Sequence, residues 1–246
     1  DIRRLRKQYF SSADQLVTLA LAANGPSFGT VDTAIQEWAI AREVGARITV
    51  HCGIGPKGGG KFEEMGRQNL LKSDTTYIHC NYLTPTEWKM IADTGGTVSL
   101  ASLVEMAMGH GVPAIQPALD AGLKPSLSVD VETSIPNDLF TQMRTVFGVQ
   151  RMDSFQRTYR GDKAAPKLIT ARDVLEYATI NGAVANGLGS KTGSLTPGKE
   201  ADVILLRTDR INVMPIKDPV AAVVFGMDTG NVDTVIVAGT MKKRDG

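Results

Sequence analysis

Short apolar runs rich in Val, Ile, Leu and Thr alternate along this chain with longer segments in which apolar residues recur every three or four positions. The first pattern is that of buried parallel strands and the second that of amphipathic helices, so the alternation predicts βα units around a parallel sheet. Five strands are expected, at residues 16–22, 47–52, 76–80, 97–101 and 126–130. Helices are expected at 32–44, 63–71, 85–94 and 112–121; in the first, Ala34, Ile35, Trp38, Ala39 and Ala41 make one apolar face. Thr84-Pro85-Thr86-Glu87 reads as an N-cap, a proline at the first helical position and a carboxylate in the first turn. A helix opening at Pro136 or Asn137 carries Leu139, Phe140, Met143 and Val146, a polar stretch spans 150–167, and Thr170 opens another helix through Tyr177. The tail differs: residues 201–206, 221–225 and 234–241 read as short strands with a turn at Ala238-Gly239, predicting a small antiparallel unit.

Composition narrows the class. With 246 residues, 42% of them hydrophobic, the chain can bury one core of barrel size. Its 27 Lys and Arg against 26 Asp and Glu leave no electrostatic footprint for nucleic acid or an anionic membrane, which points to a small-molecule partner. Cys52 and Cys80 are too few for a disulfide framework, and no apolar run approaches the length of a membrane span. These features imply a soluble protein of the reducing cytoplasm. The chain opens on Asp1 without an initiator Met, which suggests sequence upstream.

The chemistry-bearing residues sit where a barrel would use them. His51, His79 and Asp130 each close an expected strand, and in a (β/α) barrel those ends converge on the face where active sites are built. Two imidazoles and a carboxylate suit zinc, whose catalytic sites take about three protein ligands and keep a position for water. Taken singly, a histidine after a strand is commonly structural and an aspartate there is commonly an N-cap. The glycine-rich loop 53–60 superficially matches a phosphate cradle but lacks the Gly-Lys-Ser/Thr ending, and reads instead as a mobile lid.

Ala178-Thr-Ile-Asn-Gly-Ala, Leu188-Gly and Gly193-Ser-Leu-Thr-Pro-Gly-Lys-Glu-Ala-Asp-Val resemble the C-terminal signature of the amidohydrolase superfamily, in the branch holding cytosine and guanine deaminases and triazine hydrolases. The likeness extends from Leu16 to Lys242. It implies an α/β fold: a (β/α)8 TIM-like barrel, incomplete at the N-terminus, over residues 1–190, with the C-terminal strands of a small β-sandwich domain over 191–246. By the same resemblance His51 is a metal ligand, and His79 a second ligand or the group that polarises substrate or water. Asp130 is a metal ligand and proton shuttle, and His110, in Gly109-His-Gly-Val-Pro, a substrate contact.

The implied activity is a hydrolase that uses zinc or iron to activate water against a non-peptide carbon–nitrogen bond of a small cyclic or amide-like substrate, in a protein that forms homo-oligomers. Two departures complicate it. Ile54 stands where deaminases of this branch carry a glutamate that protonates the leaving amine, while Glu105 stands where relatives often have Asn and is either a replacement carboxylate or a solvated loop residue. The family's His-x-His pair is absent, since the chain holds only His51, His79 and His110. The chain is then a fragment whose metal centre is half elsewhere, or a truncated binding protein that has lost the metal. Hydrolytic removal of halide is the enzymatic alternative, because a departing halide needs no proton.

Overall fold

The structure, a computed structural model, describes residues 1–12 and 14–246. In chain order its first elements are α1 (Ile2–Tyr9), β1 (Ala20–Ala23), α2 (Gly25–Phe28), α3 (Val31–Glu43), β2 (Arg47–Cys52), α4 (Glu63–Arg67), β3 (Thr75–His79), α5 (Pro85–Asp93) and β4 (Thr97–Leu100). There follow α6 (Ser102–Ala107), α7 (Ile115–Asp120), β5 (Ser126–Leu127), α8 (Leu139–Tyr159), α9 (Ala171–Ala178) and α10 (Ile180–Ala185). The last are β6 (Val203–Leu206), α11 (Pro219–Ala221), β7 (Val232–Val237) and β8 (Thr240–Lys243). The chain divides into two compact units, Asp1–Leu100 with Met108–Lys124, and Ala101–Ala107 with Pro125–Gly246.

In the first unit, β1, β2, β3 and β4 lie side by side in chain order and parallel, with helices supplying the crossovers. Alternation along β2 buries Ile48, Val50 and Cys52 on one face, and these join Tyr77, Val98, Leu100, Trp38, Ala41 and Ile91 in the core. Each Val, Leu or Ile among them contributes roughly 1.5–3 kcal/mol on burial. Helix α3 starts where Thr30 accepts the Thr33 N–H, and stops before Gly45, whose φ of 63° no β-branched residue would hold comfortably. Behind the sheet, Arg42 grips Asp74 through two hydrogen bonds of 2.7 and 3.1 Å and also donates to the Leu70 carbonyl. Helix α5 has the expected start, a full capping box between Thr84 and Glu87. The charged opening of the chain, given no structure by its pattern, is helix α1 capped by Asp1.

In the second unit, helix α8 begins on Asp138, which accepts the Thr141 N–H, rather than on Pro136 or Asn137. It continues through ten residues assigned above to the polar stretch. The polarity of that stretch is internal bonding: Gln150 donates to Lys167 O and accepts the Ile169 N–H, while Ser154 donates to Pro166 O, so both are buried and satisfied. Residues 221–225 are also corrected, from strand to helix. Asp218 caps Pro219 at the first helical position and a wide helical turn continues to Gly226; a short apolar run does not by itself distinguish the two states. The expected antiparallel unit is present, with β7 between β6 and β8 and the hairpin turning at Ala238 and Gly239, whose φ values are 45° and 76°.

The glycine-containing loop before this sheet has a mechanical basis. Gly193 sits at φ 86°, and a Cβ there would lie 2.6 Å from that of Ala183. Lys199 donates to the Thr192 carbonyl, and Asp202 accepts both the Thr192 hydroxyl and the Ala238 N–H, each at 2.7 Å. Those bonds tie the loop to the hairpin.

Candidate active site

The site is built at the C-terminal ends of β2 and β3. His51 is the fifth residue of β2, on the face opposite Ile48, Val50 and Cys52, and its side chain is exposed. Ladder register sets His51 against Ile78 and Cys52 against His79, so simple alternation would point the two histidines to opposite faces. The backbone prevents that. His79 and Cys80 take φ values of 74° and 63°, a left-handed turn that ends the alternation as β3 ends. Holding two non-glycine residues there costs roughly 1 kcal/mol or more each, strain of the kind that concentrates at functional sites.

The outcome is a face-to-face pair: the His51 and His79 rings lie 5.4 Å apart, inclined by 27°. The His110 ring stands edge-on to His79 at 4.9 Å, and its Nδ1 is buried without a hydrogen-bond partner among the described residues. Phe28, at the end of the short helix after β1, is edge-on to His51 at 5.5 Å although its side chain is 65% exposed. Phe28, His51, His79 and His110, from four successive βα segments, therefore form a continuous chain of ring contacts at the ends of β2 and β3. Phe28 went unnoticed in the sequence because a single aromatic in a glycine-rich loop carries no periodic signal.

The loop 53–60 is fastened, not a hinged lid. Glu87, fully buried, accepts the N–H groups of Gly60 and Phe62 at 2.8 Å and of Thr84 at 2.9 Å. A Cβ at Gly58 or Gly59 would meet backbone atoms at 2.5 and 2.4 Å, so the glycines serve compaction. Gly55 donates to the His110 carbonyl at 2.9 Å, which links the loop after His51 to the segment carrying His110. Beneath the site, burial pushes the Tyr77 hydroxyl well above its ordinary pKa, with Cys52, Asp74 and Cys80 adding to the effect.

The other two expected residues belong to the second unit. Asp130 lies three residues past the end of β5, which is shorter than expected, and its φ is 69°. Glu105 is neither solvated nor in a loop: it is fully buried in α6 and accepts the Ala101 N–H at 2.8 Å. The structure thus gathers His51, His79 and His110 in one unit, with Asp130 and Glu105 in the other. Among the described residues no group of three or more His, Cys, Asp or Glu is arranged to hold a metal ion.

Residues 1–242 match the sequence profile of the amidohydrolase family. The chain belongs to that family. This amidohydrolase is 28% identical over 254 residues to a 5'-deoxyadenosine deaminase of Methanothermobacter thermautotrophicus, a match covering 99% of the chain and 57% of the relative. It is 31% identical over 164 residues to a 5-methylthioadenosine/S-adenosylhomocysteine deaminase of Acetivibrio thermocellus, covering 66% of the chain and 36% of the relative. Among solved structures, an adenosine deaminase from Xanthomonas campestris with bound zinc superposes with a TM-score of 0.84 at 19% identity, over 99% of this chain and 56% of that one. A mutant atrazine chlorohydrolase from Arthrobacter aurescens, complexed with zinc and atraton, superposes at 0.80 with 19% identity, over 99% and 54%. These likenesses establish the fold as α/β of the barrel-forming kind, here with an open sheet. The chain spans little more than half the length of such relatives.

Proposed function

We propose that these residues form part of the active site of a metal-dependent hydrolase that replaces an amino group on a purine nucleoside of the 5'-deoxyadenosine type with hydroxyl. The observation that carries the reading is the stacked His51–His79 pair on adjacent parallel strand ends of an amidohydrolase. Two imidazoles fit zinc as donors, yet a catalytic zinc site needs about three protein ligands. Three histidines in the whole chain cannot supply the family's His-x-His as well. Asp130 is proposed as one further ligand, and the remainder would come from outside residues 1–246. Zinc is favoured over iron by the zinc in the similar structures.

When bound, such a metal makes water acidic enough to attack at neutral pH. In the proposal His51 holds the metal, while His79, kept rigid by its left-handed backbone, orients the attacking water or polarises the ring carbon. Asp130 takes the water's proton, and His110 directs its buried Nδ1 to a polar atom of the substrate. Glu105, buried and bonded to the Ala101 N–H, would have to give up that bond to protonate the departing nitrogen in place of a glutamate at Ile54. Phe28 offers a planar apolar surface beside His51 for a heterocycle.

The second reading, release of halide from a heterocycle, is favoured by Ile54 and by the likeness to the chlorohydrolase. Ammonia against chloride among the products separates the two. No helix among the described residues is long and apolar enough to cross a membrane, and we place the protein in the cytoplasm. We expect an oligomer; sedimentation as a monomer at micromolar concentration counts against it. For the metal, the protein expressed from its full gene should carry about one equivalent, lost in His51→Ala. Full occupancy in that variant overturns the assignment.

A further inference from the structure

Cys52 and Cys80 lie directly after the two site histidines, and their sulfurs are 3.4 Å apart. Neither is in a disulfide, and both are fully buried. Their closeness is not an accident of side-chain rotation. The Cys80 N–H donates to the Cys52 carbonyl at 2.9 Å, and a Cβ placed on Gly53 would lie 3.2 Å from the Cys80 Cα, so the backbones themselves are in contact. The left-handed turn at His79 and Cys80 is what carries the second thiol off the strand and against the first. We propose that Cys52 and Cys80 are a covalent modification site, closing to an intramolecular disulfide when the protein meets a peroxide.

Geometry asks little of the closure. A disulfide needs its sulfurs about 2.05 Å apart, so the pair must approach by roughly 1.4 Å, well within side-chain rotation when the backbones already touch. One sulfur attacks a peroxide oxygen, the O–O bond breaks, and a sulfenic acid and water result. The second sulfur then attacks the sulfenic sulfur, the S–O bond breaks, and the leaving hydroxide takes the second thiol's proton as water. Two thiols lose two hydrogens and the peroxide is reduced to two waters. The buried, mutually facing arrangement favours this over progress to sulfinic acid, because the resolving thiol is already in contact.

The cross-link would join the ends of β2 and β3 at the residues following His51 and His79, fixing the spacing of that ring pair. This inference does not depend on the metal assignment. The test is to treat the native protein with hydrogen peroxide, quench, denature, alkylate and map peptides by mass spectrometry. The expected product is a peptide linking Cys52 to Cys80, lighter by two hydrogens, with both thiols returned by dithiothreitol. Both cysteines recovered alkylated, separate sulfinic acids, or a link found only between two chains would overturn the proposal. Cys80→Ser should yield a sulfenic acid at Cys52 that dimedone traps. Cys52 remaining unmodified in that variant, together with Cys80 remaining unmodified in Cys52→Ser, would show that peroxide does not reach the pair, and would also overturn it.

Discussion

Replacing Glu87 by Gln should release the loop that follows His51. The carboxylate accepts three backbone N–H groups, from Gly60, Phe62 and Thr84, at 2.8 to 2.9 Å, and is fully buried. Hydrogen bonds to a buried charged group are worth roughly 1.5–3 kcal/mol each, and a buried N–H left unpaired costs roughly 1–3 kcal/mol. Glutamine keeps one acceptor but turns an NH2 group towards donors. At Oε2 two N–H groups, those of Gly60 and Thr84, depend on the same oxygen, so whichever oxygen is replaced, at least one bond becomes donor against donor. Because such terms are not additive, the expected loss is about 2–4 kcal/mol. Hydrogen exchange reads this locally, which matters in a chain of two units where global unfolding need not be two-state. Protection at Gly60 and Phe62 should fall by about a hundredfold, corresponding to roughly 2.7 kcal/mol. The Gly55 amide, bonded to the His110 carbonyl, should lose protection in step. Exchange within threefold of wild type at all three amides would refute the reasoning.

Three further outcomes follow from single contacts. Asp74 is held below the ordinary carboxylate range: its burial acts upward, but hydrogen bonds from Arg42 and Thr75 outweigh it. Its depressed folded value contributes stability that is present above about pH 4 and lost as the pH falls through the folded value. Asp74→Asn should therefore flatten the acid limb of the stability profile and cost roughly 1–3 kcal/mol at neutral pH; an unchanged acid limb counts against the pair. Tyr177 is pushed up to about 12 by burial, with Asp173 and Glu176 adding to it. A raised value means stability that is intact below about pH 10 and declines as the pH rises towards 12. Tyr177→Phe should lose that decline in alkaline urea titrations. Gly25→Ala forces φ 59° on an L residue and sets its Cβ 2.4 Å from Val50 Cγ2, so it should cost about 2–4 kcal/mol in urea denaturation; a neutral effect would show that β1 and β2 can separate there.

Much of this was legible in residue pattern, and what was not has identifiable causes. Strand β2 matched residue for residue because its alternation is clean and its end is marked by glycine. The positions of His51 and His79 at strand ends were readable, but their stacking was not: period two separates them, and no residue type announces a left-handed histidine. Glu105 looked like a loop residue because helix α6 is short and its carboxylate caps its own start. Helix α8 was cut short because Gln150 and Ser154 spend their polarity on the 166–169 backbone inside the fold. The signature around Gly193 identified kin without identifying chemistry, and its bonds to the β7–β8 turn explain why it is structural.

The central claim is that His51 and His79 serve metal-assisted cleavage of a carbon–nitrogen bond. Ammonia release from 5'-deoxyadenosine by the protein expressed from its full gene tests it most directly. Release should cease on chelation, return with added zinc, and be reduced at least a hundredfold in His51→Ala with the fold intact. Ammonia release that persists at the wild-type rate after chelation, or in His51→Ala, would contradict the account.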